Sequence, residues 1–242
     1  MGHVDYYNKL FIFEFANNHM GDVDHALRMV KEFGELAKEY SEFKFAVKFQ
    51  FRDIETFIHP DFKERKDLKY VKRFSETKLT LEQFKTVKNA AEKAGFKTLC
   101  TGFDEASVDH IEKMNFDYIK IASCSFTDWP LLNKIVESKL PVIASTAGSS
   151  LSDIDNVVSF FKNRNKDLAI MHCVGEYPTQ EKNLQINQIN FLKNRYQDLP
   201  IGFSTHEDPD NNDAVFIAIA KGACLFEKHV AVVTDKYPKN DY

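Results

Sequence analysis

Eight short stretches of the chain are almost continuously apolar: LFIFEFA (10–16), FAVKFQF (45–51), KTLCTGF (97–103), DYIKIAS (117–123), PVIAST (141–146), LAIMHCV (168–174), PIGFST (200–205) and ACLFEKHV (223–230). Between them run amphipathic stretches such as DHALRMVKEFGELAKEY, TLEQFKTVKNAAEKAG, EASVDHIEKM, WPLLNKIVESK, LSDIDNVVSFFKN, INQINFLKNRY and NDAVFIAIAKG. Continuously apolar strands are expected where both faces of a sheet are covered. Their strict alternation with helices predicts a parallel sheet. Eight strands favour closure into an α/β fold of the (β/α)8, or TIM-barrel, type over an open doubly wound sheet. ANNHMG follows the first strand where a dinucleotide fold would place G-x-G-x-x-G, which counts against that alternative. Asp24, Thr80, Ser152 and Asn187 are the expected helix caps. One stretch, 52–79, breaks the rhythm; it is too long for a plain loop and falls on the face where barrel loops do chemistry. The sequence ends about where a last barrel helix should begin, so the barrel is expected to lack that helix.

Composition narrows the class without changing the fold. With 242 residues, 43% hydrophobic and 28% charged, the chain can build a full core, and no linker or composition shift divides it, so 1–242 is read as one domain. A net charge of -4 with scattered lysines predicts no nucleic-acid partner. The N-terminus MGHVDYYNKL reads as neither a signal peptide nor a lipidation site, and no apolar run is long enough to cross a bilayer, so no membrane role and a cytoplasmic location are expected. Cys100, Cys124, Cys173 and Cys224 show no CxxC spacing and read as reduced thiols.

The chemistry gathers where the strands end. The first strand gives Glu14, then Asn17, Asn18 and His19; the second gives Lys48 and Gln50. Thr101 and Asp104 close the third, Lys120, Ser123 and Ser125 the fourth, and Ser145 and Thr146 the fifth. The sixth carries His172, then Glu176 and Tyr177; the seventh Ser204 and His206; the eighth Glu227 and His229. In a (β/α)8 barrel these ends converge on one mouth, where such enzymes place their sites. Lysines inside apolar runs need a reason, because a buried charge is costly unless paired. Two reasons are open for Lys48 and Lys120: a barrel glutamate such as Glu14 or Glu227, or an anionic ligand at the mouth. With Thr101, Ser123, Ser145 and Ser204, the lysines make a sensible cradle for a small molecule bearing carboxylate and phosphate. His206 and His229 end adjacent strands, close enough to share a metal whose remaining positions stay open to water and substrate. The plainer readings are structural histidines and helix-capping hydroxyls. The basic run from Lys63 to Arg73 would reach a phosphorylated ligand or form a solvated surface.

These pieces together resemble the sialic acid (N-acetylneuraminate) synthase family: FEFANNHMGD, AVKFQF, TGFDEASVDHI, DYIKIASCSFTDWPLL, PVIASTAGS, MHCVGEYPT, IGFSTHE and GACLFEKHV stand in the expected order over nearly the whole chain. The resemblance implies a synthase that condenses phosphoenolpyruvate with an N-acetylated aldose, N-acetylmannosamine or its 6-phosphate, to a nonulosonic acid with release of phosphate. It assigns His206 and His229 to a divalent metal, usually Mn2+, with Mg2+ or Co2+ as alternatives. Lys48, Thr101, Lys120, Ser123, Ser145 and Ser204 correspond to phosphoenolpyruvate contacts; Glu14, Gln50, Tyr177 and Asp241 match positions near the acceptor. Of these, Glu14, Lys48, Lys120 and His206 are the expected catalytic set, Glu14 handling protons. Two departures stand out. Ser125 replaces the acidic residue the family commonly has two positions after the fourth-strand serine, and the small C-terminal antifreeze-like domain is absent from 1–242. A homodimer or a place in a longer protein is the expected assembly. Other readings are a synthase for another aldose and a non-catalytic barrel that binds a sugar or partner.

Overall fold

The computed structural model describes residues 6–238. Among them, eight parallel strands close into a barrel in sequence order: β1 (Leu10–Glu14), β2 (Lys44–Phe51), β3 (Lys97–Gly102), β4 (Tyr118–Ile121), β5 (Val142–Ser145), β6 (Leu168–Cys173), β7 (Ile201–Thr205) and β8 (Leu225–His229), which pairs back to β1. The register sets Glu14 beside both Lys48 and His229, Thr101 beside Gln50 and Lys120, and Ser204 beside Glu227.

The outer layer holds α1 (Val23–Lys38), α4 (Leu81–Lys93), α5 (Glu105–Lys113), α6 (Trp129–Glu137), α7 (Leu151–Lys162), α8 (Asn187–Arg195) and α9 (Asp213–Ala220). Among the described residues no helix follows β8. The irregular 52–79 stretch folds as the short α2 (Ile54–Phe57), a 3-10 turn at Pro60–Phe62, and α3 (Lys69–Glu76). Thr80 forms a reciprocal capping box with Gln83, as its spacing predicts. Three other caps differ from expectation. Asp22, not Asp24, has the extended backbone a cap needs and accepts from the Asp24 and His25 N–H groups. Ser150 takes the same role with Asp153, which moves Ser152 into the first turn. Asn187 is the first residue of α8, and Ile186 before it makes no side-chain cap. In the two capped helices a suitable side chain two residues upstream reaches the free N–H groups first.

Two apolar layers hold the molecule together. One fills the space between sheet and helices, with Phe49, Phe96, Phe116 and Phe161 among its buried aromatics. The other plugs the barrel interior from below: Tyr7, Leu10, Ile12, Ala46, Leu99, Tyr118, Ile143, Ala169, Met171 and Leu225. Each large aliphatic side chain there contributes about 1.5–3 kcal/mol by leaving water. The plug admits only glycine at 202, because a Cβ on Gly202 would lie 2.6 Å from Leu225 Cγ. His172 has the opposite parity to Met171 and points out of the barrel. There it stacks on Phe203 and places Nε2 2.8 Å from the Leu184 carbonyl oxygen. It therefore does not belong to the mouth.

Candidate active site

One inward step above the plug, the strands change character. Ile12 is followed on the same face by Glu14, Ala46 by Lys48, Leu99 by Thr101 and Tyr118 by Lys120. Likewise Ile143 gives way to Ser145, Met171 to Cys173, Gly202 to Ser204 and Leu225 to Glu227. Side chains alternate faces along a strand, so a residue two positions on lies on the same face and one level higher. The eight polar groups therefore form one ring.

Glu227 is the hub of that ring. Its Oε1 accepts from Lys48 Nζ at 2.7 Å, from Ser204 Oγ at 3.2 Å and from Lys120 Nζ at 3.4 Å. Lys48 also pairs with Glu14, whose Oε1 accepts from the Ala16 N–H at 2.6 Å. Lys120 donates to Ser145 Oγ at 2.7 Å. Of the two reasons open for the buried lysines, the structure shows the barrel glutamates. Burial alone would raise the Glu227 carboxyl, but Lys120 and Lys48 beside it hold it well below the usual carboxylate range. Burial pushes the Lys48 ammonium down, opposed by Glu227 and reinforced by Lys120. An ammonium has three donors, and among the described residues the protein partners of each lysine are a pair, which leaves a third N–H on each. Thr101 Oγ1 is buried without a hydrogen-bond partner among the described residues. Ser123 Oγ accepts from the Ala147 N–H at 3.1 Å and keeps its own proton to donate. A buried ion-pair network is seldom the most stable filling for a core, so its presence here is a functional pointer.

The two histidines stand on the rim beside this ring. Their ring centres are 5.4 Å apart. His206 Nδ1 lies 3.0 Å from the Val174 carbonyl oxygen, so that nitrogen carries the hydrogen and Nε2 keeps its lone pair. His229 Nδ1 is buried with no partner among the described residues. Burial lowers both imidazoles, and Lys48 helps bring His229 down to about 3. Both are therefore neutral near pH 7, as a metal ligand must be. Among the described residues no group of three His, Cys, Asp or Glu forms a metal cage. An orphaned ring nitrogen and a neighbour of fixed tautomer nevertheless fit a divalent ion held by two imidazoles, with its other positions open. Tyr177 lies across His206 at 3.9 Å between ring centres, which places it at the same rim.

Gln50 stands one inward step above Lys48 and accepts from Arg52 Nη2 at 2.6 Å. Asp241 lies outside the described residues. The basic run resolves largely as surface: Lys63 pairs with Glu55 and Arg65 with Asp67, all of them exposed or nearly so. Ser125, at the position where an acid was expected, is buried. Sequence reading offered Glu227 only as a partner for the buried lysines, with no ligand or catalytic role, and gave no site role to Cys173 or Arg52. Inward parity counted from Leu225, Met171 and Lys48 is the signal that finds all three.

A closed barrel with a ring of paired lysines and glutamates, hydroxyls and two imidazoles at the carboxyl ends of its strands defines a (β/α)8 protein with a polar, charge-paired mouth. The chain belongs to the NeuB family, whose model matches residues 43–241. An uncharacterised protein of Methanocaldococcus jannaschii is 34% identical over 90% of this chain and 60% of its own length. A solved Chromobacterium violaceum protein, provisionally named as spore coat polysaccharide biosynthesis protein E, is 52% identical over 97% of this chain and 69% of its own, with a TM-score of 0.94. The N-acetylneuraminic acid (sialic acid) synthetase of Leptospira borgpetersenii, solved with citrate, is 31% identical over 92% of this chain and 73% of its own, with a TM-score of 0.80. The chain spans about 60% of the length of the first curated relatives it matches. Among the described residues no helix is long and apolar enough to cross a membrane.

Proposed function

We propose that this barrel condenses phosphoenolpyruvate with an N-acetylated aldose, forming a nonulosonic acid and releasing phosphate. The observation that carries the reading is the ring in which Glu227 holds Lys48 and Lys120 with one free N–H each, beside neutral His206 and His229. Lys48, Lys120, Thr101, Ser123, Ser145 and Ser204 bind the carboxylate and phosphate of phosphoenolpyruvate, and their fixed positions replace the solvent ordering that free reactants would need. Gln50, Tyr177 and Asp241 contact the acceptor. The C2=C3 electrons of phosphoenolpyruvate then form the bond from C3 to the aldehyde carbon, whose oxygen takes up a proton, and C2 is left cationic. Water adds at C2 with loss of a proton, and the tetrahedral intermediate loses phosphate by C2–O cleavage as its C2 hydroxyl gives up a proton to become the ketone. Glu14 is an anion beside Lys48, and its carboxylate accepts the proton of the attacking water. His206 and His229 would hold a divalent ion, Mn2+ first among the candidates, which when bound supplies a Lewis acid for the acceptor's carbonyl oxygen. Membership in the NeuB family, with relatives named as synthases, supports the reading, as does the presence of the polar ring at the mouth.

Phosphate release from phosphoenolpyruvate with Mn2+, over a panel of N-acetylhexosamines, their 6-phosphates and plain aldoses, tests it. Acceptor-dependent release is expected, and His206→Ala and His229→Ala should abolish it. Release driven best by a plain aldose would shift the acceptor class. Absence of release with every acceptor, despite measurable phosphoenolpyruvate binding, would overturn turnover by this chain and leave a binding barrel.

A further inference from the structure

Arg52 begins the irregular stretch after β2, yet its side chain does not join the exposed pairs of that stretch. Lys48, Gln50 and Arg52 share one parity, as do Thr101 and Phe103 on the neighbouring β3 line, and Gln50 is in register with Thr101. Arg52 and Phe103 accordingly meet one level above Gln50. The guanidinium carbon lies 3.8 Å from the centre of the Phe103 ring and 4.2 Å from that of Phe74. Nη2 donates to Gln50 Oε1, and Nε is buried with no hydrogen-bond partner. Among the described residues Arg52 forms no ion pair. Asp104, whose field reaches it, already accepts from the Asp53 and Ser107 N–H groups. Burial pushes the guanidinium down to about 10.

A largely buried guanidinium held between aromatic rings with a neutral amide as its partner has a rigid fork and no counter-charge. Arginine has no acceptor, so the Gln50 amide must turn its oxygen toward Arg52 and its NH2 toward the mouth. Arg52 rises from β2, His229 from β8 and His206 from β7, so on the shorter way round the barrel β1 separates Arg52 from His229, and β1 and β8 separate it from His206. An open-chain acceptor whose aldehyde lies beside the two imidazoles therefore runs its carbon chain across the mouth, and its far end comes to Arg52.

We propose that Arg52 is a specificity determinant that receives an acidic group, phosphate or carboxylate, on the terminal carbon of the acceptor aldose. The assignment rests on the synthase reading, and it narrows the acceptor to an acidic sugar. Gln50, oriented by Arg52, donates to an oxygen of the same acceptor.

Calorimetric titration of the chain with N-acetylmannosamine, its 6-phosphate and the matching uronic acid tests this without turnover. At least one acidic sugar should bind about tenfold or more tighter than the neutral one, with an advantage that shrinks as salt rises. The 6-phosphate and uronic acid arms separate phosphate from carboxylate. Arg52→Met should abolish the advantage, and Arg52→Lys should restore part of it. A neutral sugar bound as tightly as both acidic ones, no acidic sugar bound at all, or an advantage that survives Arg52→Met would overturn the assignment. If Arg52→Met does not fold, the wild-type ligand panel and salt series decide. Acidic sugars bound through Arg52 without phosphate release would sink the synthase reading alone. Release with neutral acceptors only would sink the Arg52 assignment alone.

Discussion

The lower and upper halves of the barrel interior are built by the same strands, one inward residue apart, and they obey different physics. Below, Leu10, Ile12, Leu99, Ile143 and Leu225 are fully or almost fully buried and pack in one apolar cluster with the Tyr7 and Tyr118 rings. Above, Glu14, Lys48, Lys120, Ser145, Ser204 and Glu227 are just as buried, yet each is polar or charged. Equal burial with opposite chemistry separates the tasks. Hydrophobic transfer makes the lower layer stabilising in proportion to its area. Desolvation makes the upper layer close to neutral for stability even when fully paired. The plug stabilises the barrel, and the ring above it carries polar groups at little net gain in stability.

The sharpest way to break this comparison is to alter one residue in each layer. Lys48→Met leaves Glu14 and Glu227 with one ammonium fewer. Acceptor-dependent phosphate release should fall by about a hundred- to a thousandfold, with a stability loss of about 3–5 kcal/mol in urea denaturation. Leu10→Ala in the plug should cost about 2–5 kcal/mol while kcat/KM per folded molecule stays within about twofold. Equal losses of turnover in the two variants would refute the division of labour.

Acid and alkali should act on opposite ends. At the upper end, burial lowers His19 to about 4. The unfolded chain therefore binds its proton first, and stability falls as pH drops from about 6.5 toward 4, by roughly 3 kcal/mol in all. Thermal melts should show that acid limb, to which the lowered His206 and His229 also contribute, and His19→Gln should remove its own share while the rest remains. At the lower end, burial raises the Tyr7 hydroxyl, which donates to the Val142 carbonyl oxygen at 3.3 Å. Here the unfolded chain loses its proton first, so stability falls above about pH 10, and Tyr7→Phe should flatten that limb instead. Smaller again is Gly202→Ala, which drives a methyl group into Leu225; it should cost about 1–3 kcal/mol and leave phosphoenolpyruvate binding in place. Thr80→Ala, outside both layers, loses one capping box and sets the scale for an unrelated change at about 1 kcal/mol, with turnover unaltered.

Strand positions were legible because eight apolar runs were bounded by polar residues at near-regular spacing, and each run contains its strand or all but its first residue. Lys48, Thr101, Lys120, Ser145, Ser204 and His229 were legible for the same reason, as polar interruptions in runs that should have none. His172 interrupts its run equally well, but its parity takes it to the helix side, against Phe203. Parity is invisible until a register fixes which face is inside. Glu227 stood in plain view at the end of β8, yet its place as hub depends on three strands meeting around it. Arg52 was hidden differently, since nothing local tells a solvated arginine from one enclosed by Phe74 and Phe103, the latter fifty-one positions away.

The sequence by itself determined the barrel, the number and order of its strands, and the residue types available at their ends, because hydrophobic period and turn spacing are local properties. Tertiary structure alone decided which of those residues face one another and which charges are paired. It also decided that, among the described residues, one guanidinium at the mouth meets an amide and aromatic rings but no carboxylate, because desolvation and Coulomb energies depend on distances between strands that are remote along the chain.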